Sequence, residues 1–132
     1  MSKKRGSIGM VGLTLAFTLV ACKEPPPLSQ IEQQIFTRSC NFSSCHSASA
    51  AAGAGGLNLE SPSFAKLVNV KSGVVSSKTR VVPFDPDQSY LMEKLTQTRP
   101  TAGGRMPLVS DPLPDEEIEM IREWIAGGAL NN

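Results

Sequence analysis

The 132 residues are enough for one domain, carry a formal charge of +1, and are 40% hydrophobic but only 5% aromatic. The near-neutral balance and the lack of a basic stripe exclude nucleic-acid binding. The chain is short and poor in large apolar side chains, so its core calls for a staple or a cofactor.

Lys3, Lys4 and Arg5 lead into an apolar stretch at 8–20, interrupted by Gly9, Gly12, Thr14 and Thr18. It is shorter than the roughly 20 residues a spanning helix needs. It ends in Leu19-Val20-Ala21-Cys22, which resembles a bacterial lipobox, in which the cysteine is acylated and becomes the mature N-terminus. Residues 1–21 are therefore read as a lipoprotein signal peptide, and Cys22 as the lipidation site and membrane anchor. Loss of Lys3, Lys4 and Arg5 takes the formal charge from +1 to −2. Lys23, standing where an acidic residue would retain such a lipoprotein at the inner membrane, points to the outer membrane facing the periplasm. Residues 22–28, with Pro25-Pro26-Pro27, read as a stiff polyproline stalk. The domain proper spans 29–132.

Ser29 followed by Glu32 is a capping-box pattern, and Leu28 can staple onto the first turn. Ile31, Ile35, Phe36 and Cys40 recur at helical spacing, which predicts a helix over 30–40. Residues 47–58, rich in Ser, Ala and Gly, read as a loop. Ser61 and Pro62 read as the N-cap and first residue of a short helix with Phe64, Leu67 and Val68 inward. Val74-Val75 and Val81-Val82 flank a polar run that suits a small hairpin or a loop. Asp85 and Pro86 can open a helix carrying Tyr90, Leu91, Met92 and Leu95. Residues 99–107, with two prolines and two glycines, cannot be regular helix. The last helix starts at Pro114, has Asp115, Glu116 and Glu117 at the positive end of its dipole, and ends at Gly127-Gly128. Ile118, Ile121 and Ile125 form its inner face, with Trp124 and Met120 beside it. The expected fold class is all-α, with long irregular connections.

Chemistry concentrates at Cys40-Asn41-Phe42-Ser43-Ser44-Cys45-His46. Haem c is held by two cysteine thioethers, and the histidine after the second cysteine ligates the iron; the usual spacing is C-x-x-C-H. Here the spacing is C-x4-C-H, a longer gap that occurs in some multihaem cytochromes. Three readings compete. They are one covalent haem c on Cys40 and Cys45 with His46 as proximal ligand, a plain Cys40–Cys45 disulfide, and a zinc site. An exported chain favours the haem reading. His46 is the single histidine, so an intramolecular bis-histidine haem is excluded. Met92, Met106 and Met120 are the mature methionines that could supply the sixth ligand. Met92 and Met120 fall in apolar helical patterns that suit core packing. Met106 lies in Gly103-Gly104-Arg105-Met106-Pro107, where Pro107 fixes the backbone and the glycines permit close approach to a flat ring. Met106 is the candidate distal ligand, against a loop methionine on the surface. Arg80 and Arg105 could pair with haem propionates, although solvated surface arginines are the commoner case.

The order C-x4-C-H, Gly-Gly-Leu-Asn-Leu (55–59), Arg-Val-Val-Pro (80–83), Asp-Gln-Ser-Tyr-Leu (87–91), Arg-Met-Pro (105–107) and Glu-Trp-Ile-Ala-Gly-Gly-Ala (123–129) resembles class I cytochrome c domains, and most nearly the planctomycete-type haem-binding lipoproteins. The resemblance implies a small cytochrome c-like helical domain with Met106 as distal ligand. It also implies crossed first and last helices that bring Ile35 and Phe36 near Ile121, Trp124 and Ile125. The function then expected is electron transfer through one haem to unidentified redox partners, without enzymatic turnover. The alternatives are a disulfide-stabilised interaction module without haem, and a haem peroxidase or gas sensor with an open sixth site.

Overall fold

The computed structural model describes residues 23–132. The proposed signal peptide and Cys22 lie outside the described residues. None of the described helices is long and apolar enough to cross a membrane.

Helix α1 is continuous through three segments: α-helical Leu28–Ile31, a π-helical Glu32–Phe36, and α-helical Thr37–Ser39. Its apolar positions Leu28, Ile31, Ile35 and Phe36 are all buried. The expected capping box does not form. Pro27 occupies the N-cap position, and the Glu32 carboxylate instead accepts hydrogen bonds from the Ser61 hydroxyl and from the Ser63 amide and hydroxyl. Burial alone would raise the pKa of Glu32, yet these bonds and Lys66 hold it below the usual carboxylate range.

After a 3-10 turn at Ala51–Ala54, helix α2 occupies Phe64–Leu67, α3 Tyr90–Thr96 and α4 Asp115–Ala126. Ser63 stands at the N-cap of α2, and Ser61–Pro62, expected to open it, is instead a cis peptide before it. Ser89, not Asp85, occupies the N-cap position of α3. Ile118, Ile121, Trp124 and Ile125 of α4 are buried as their spacing predicts. They share one core with Ile35 and Phe36, joined by Leu67, Val81, Met92 and Leu95.

The all-α, cytochrome c-like expectation requires correction. The helices are the main regular elements, but α2 is a single turn, and the chain between α2 and α3 is tied by lone β-bridges. Val68 bridges Val81 and Thr79 bridges Ser89 in parallel sense, while Lys71 bridges Thr79 and Val82 bridges Asp85 in antiparallel sense. The physical reason lies in composition. From 68 to 89 the chain alternates short β-branched pairs with Ser, Gly and Pro, which support neither a helical stripe nor a strand long enough to make a sheet. At one point two backbones meet so closely that a Cβ on Gly73 would sit 2.3 Å from the Gly55 carbonyl oxygen. Only glycine fits there.

The polyproline segment is packed onto the domain. Its Lys23 ammonium is 2.8 Å from Glu123 of α4, and Pro25 lies against Gly127.

Candidate functional site

Cys40 ends α1, where its amide donates to the Phe36 carbonyl. The chain then turns twice: Cys45 N–H donates to Phe42 O at 2.9 Å, and His46 N–H donates to Cys40 O at 3.0 Å. A further bond from Leu59 N–H to His46 O, 2.8 Å, ties the following loop back to the histidine. The loop is thus shaped by its own backbone, and it brings Cys40, Cys45 and His46 onto one wall of a cavity of about 720 Å³. Met106 lies on the same cavity. All four residues selected from the sequence therefore meet around one space. Met92 is buried in the core, and Met120 is half-buried against it, beside the proline segment; neither lines the cavity.

The cavity falls within the roughly 300–1,000 Å³ of cofactor and small-molecule sites. Its lining is mainly apolar, with Phe36, Leu57, Leu67, Leu91 and Ile121 among its walls. At its edge Phe42, Val74, Leu108 and Val109 are exposed, Val109 by 91%. Apolar side chains left open around a cavity mark a ligand groove or an interaction surface.

The surroundings of His46 favour the neutral imidazole. Its Nδ1 lies 3.2 Å from the carbonyl oxygen of Leu57. A carbonyl only accepts, so Nδ1 carries the proton and Nε2 keeps its lone pair. Burial lowers the histidine pKa; the Leu57 bond opposes this, and the positive charges of Arg80 and Lys94 add to the lowering. A carbonyl on the far nitrogen is the usual outer support of a ligating histidine.

Both cysteines are free thiols. Burial pushes Cys40 up to about 12, with Glu117 and Cys45 adding to the effect, so it is protonated at neutral pH. Among the described residues no group of three or more His, Cys, Asp or Glu side chains is placed to hold a metal ion. The residues that do converge (two thiols, one neutral imidazole and one thioether around an apolar space) fit a haem attached through cysteine, whose iron is held mainly by the porphyrin.

Arg80 departs from the solvated reading. It is 9% exposed, lines the cavity, and donates from Nη1 to Lys66 O at 2.7 Å and from Nη2 to Gly55 O at 2.9 Å. Arg105 donates from Nε to Leu95 O at 2.6 Å. Sequence reasoning missed Glu93 and Lys94. The Glu93 carboxylate accepts the Thr101 amide and pairs with Lys78 at 2.9 Å, and Lys94 Nζ reaches two loop carbonyls. Two adjacent charges inside a short apolar helix, just before a glycine-rich segment, were the signal available. No family model, curated protein or solved structure matches this chain.

Proposed function

We propose that the chain is a lipid-anchored electron carrier for one haem c, which Cys40 and Cys45 would hold through thioethers and whose iron His46 and Met106 would ligate. The observation that carries this reading is the meeting of Cys40, Cys45, His46 and Met106 around a single apolar cavity. When bound, the haem supplies a one-electron Fe(III)/Fe(II) couple. The chain's own residues do the rest. His46 offers Nε2 because Leu57 holds the proton on Nδ1. Met106 offers a thioether, a ligand that favours the reduced iron. The apolar walls exclude water and favour the same state. Arg80 places a buried positive charge beside the cavity, which disfavours the further charge of the oxidised centre. Anchoring is assigned to an acylated Cys22 and would leave electron exchange to partners at the cell envelope.

The test is absorbance and mass of full-length protein made in cells with a working cytochrome assembly system. A Soret band that survives acid–acetone extraction, with one haem added to the polypeptide mass, is the expected result. Bare polypeptide with Cys40 and Cys45 oxidised to each other would overturn the reading in favour of a disulfide-stapled interaction module. Anchoring is tested separately: Cys22→Ala should abolish incorporation of labelled fatty acid and release the protein from membranes.

A further inference from the structure

Met106 sits on no regular element. The backbone before it contains Gly103, with φ of +66°, and Gly104, and it buries little of its own. Such a segment pays a large conformational entropy on ordering. It is held from outside, by α3. Lys94 Nζ donates to the carbonyl oxygens of Ala102 at 2.9 Å and Gly104 at 2.6 Å. The carbonyl of the same residue accepts the Met106 amide at 2.8 Å. Lys94 therefore grips the segment at three points, two with its ammonium and one with its backbone. Lysine is rarely drawn in from solvent without a carboxylate. Here it is half-buried, lines the cavity, and spends its donors on loop carbonyls.

The geometry points to Lys94 as the positioning residue for Met106. By fixing the 102–104 carbonyls it holds the thioether at the cavity that His46 also lines. This rests on the haem reading above and extends it to how the sixth ligand is retained. A thioether is a weak ligand, so its occupancy depends on how well its backbone is pre-organised.

The experiment compares wild-type holo-protein with Lys94→Met, Lys94→Arg, Met106→Ala and the control Lys66→Met. Lys66 also donates to a backbone carbonyl, that of Glu60 at 2.8 Å, but does not line the cavity. Three quantities are read: haem mass on the polypeptide, intensity of the sulfur-to-Fe(III) charge-transfer absorption, and hydrogen exchange of the Met106 amide in haem-free chain. Lys94→Met should keep the haem mass but lose the charge-transfer band by roughly threefold or more, and its Met106 amide should exchange roughly tenfold faster, on the scale of one charge-assisted hydrogen bond. Lys94→Arg should recover more than half of the band, Lys66→Met should match wild type, and Met106→Ala should lack the band. An undiminished band with unchanged exchange in Lys94→Met overturns the inference while leaving the haem reading intact. If Lys94→Met does not accumulate, Lys94→Gln, which keeps one donor pair, takes its place with the same two outcomes. A wild type bearing haem but no sulfur band overturns Met106 ligation and this inference together. A wild type without haem overturns the proposed function, and the exchange measurement then decides whether Lys94 holds the segment.

Discussion

The cavity has two walls built by different means. On the histidine side, residues 40–59 are shaped by backbone bonds within the segment: Cys45 to Phe42, His46 to Cys40 and Leu59 to His46. On the methionine side, the segment after α3 has one backbone bond to that helix, from the Met106 amide to the Lys94 carbonyl, and is otherwise held through side chains: Glu93 to Thr101, Lys94 to Ala102 and Gly104, Tyr90 to Ala102, and Arg105 back to Leu95. A backbone-bonded loop survives the loss of most single side chains. A segment hung on side chains does not. His46 is thus fixed by the chain path, and Met106 largely by a few replaceable contacts.

The comparison is broken most severely at Arg80, the side chain that does reach into the histidine wall. Arg80→Ala removes the donors to Lys66 O and Gly55 O and leaves two carbonyls short of partners. Urea denaturation should show a loss of about 2–4 kcal/mol, since each buried group left unpaired costs about 1–3 kcal/mol. A loss below about 0.5 kcal/mol would mean that the wall holds itself without Arg80.

Next comes the methionine wall through Glu93. Burial alone would raise this carboxylate, but bonds from Thr101 and the neighbouring Lys78 outweigh it and hold the group at about 2, against an ordinary 4.5. A depressed folded-state pKa adds stability above the ordinary carboxylate range, and that stability disappears as the pH falls from about 4.5 toward about 2. Glu93→Gln should therefore lose about 1–3 kcal/mol at pH 7 and flatten the acid limb of the stability curve. Glu32, lowered by Ser61 and Ser63 against the opposing effect of burial, accounts for acid sensitivity that remains. An acid limb identical to wild type would show that the Glu93 bonds add nothing to the fold.

The same division governs what the sequence discloses. Helix α4 is legible because its burial repeats: Ile118, Ile121 and Ile125 return at helical spacing, and the structure buries all three. The buried face of α1 is legible for the same reason. The cavity residues on the histidine side are adjacent in sequence, so Cys40, Cys45 and His46 could be named together, and Met106 by its local Gly-Gly-Arg-Met-Pro setting. Helical patterns imply an all-α fold class and do not register the lone bridges among 68–89, which pair residues without periodic signal. Arg80 looks solvated in the sequence because its acceptors are backbone carbonyls 14 and 25 residues away, which no composition reveals. Ser29 and Glu32 match a local cap, yet Glu32 finds three donors 29 and 31 residues on. Where a local motif and a buried long-range network compete for one carboxylate, the network wins, because burial makes an unsatisfied donor expensive.

A smaller effect sharpens the contrast within the histidine wall. Ser44 is exposed in the Cys40–Cys45 turn, and its hydroxyl contacts only the adjacent Cys45 sulfur, at 3.7 Å. Ser44→Ala should change stability by less than about 0.5 kcal/mol, because the turn is closed by the Cys45 and His46 amides and not by this side chain. A loss above about 1 kcal/mol, measured by denaturation, would show that side chains hold this wall too.

The smallest effect belongs to a contact outside both walls. Lys23 and Glu123 meet at 2.8 Å, but the lysine side chain is 77% exposed, so water and salt screen the pair. Exposed pairs of this kind contribute about 0–1 kcal/mol, and Lys23→Ala should fall in that range, shrinking further as ionic strength rises. The packing of Pro25 on Gly127 and the bond from the Leu28 amide to the Asn132 side-chain oxygen, 3.1 Å, hold the same segment without charge. Gly127→Ala places a Cβ where Pro25 stands, 2.3 Å from its Cγ, and so should cost more than Lys23→Ala and keep its cost in high salt. If the two variants instead lose equal stability and both recover in salt, the ion pair, and not the packing, docks the polyproline segment on α4.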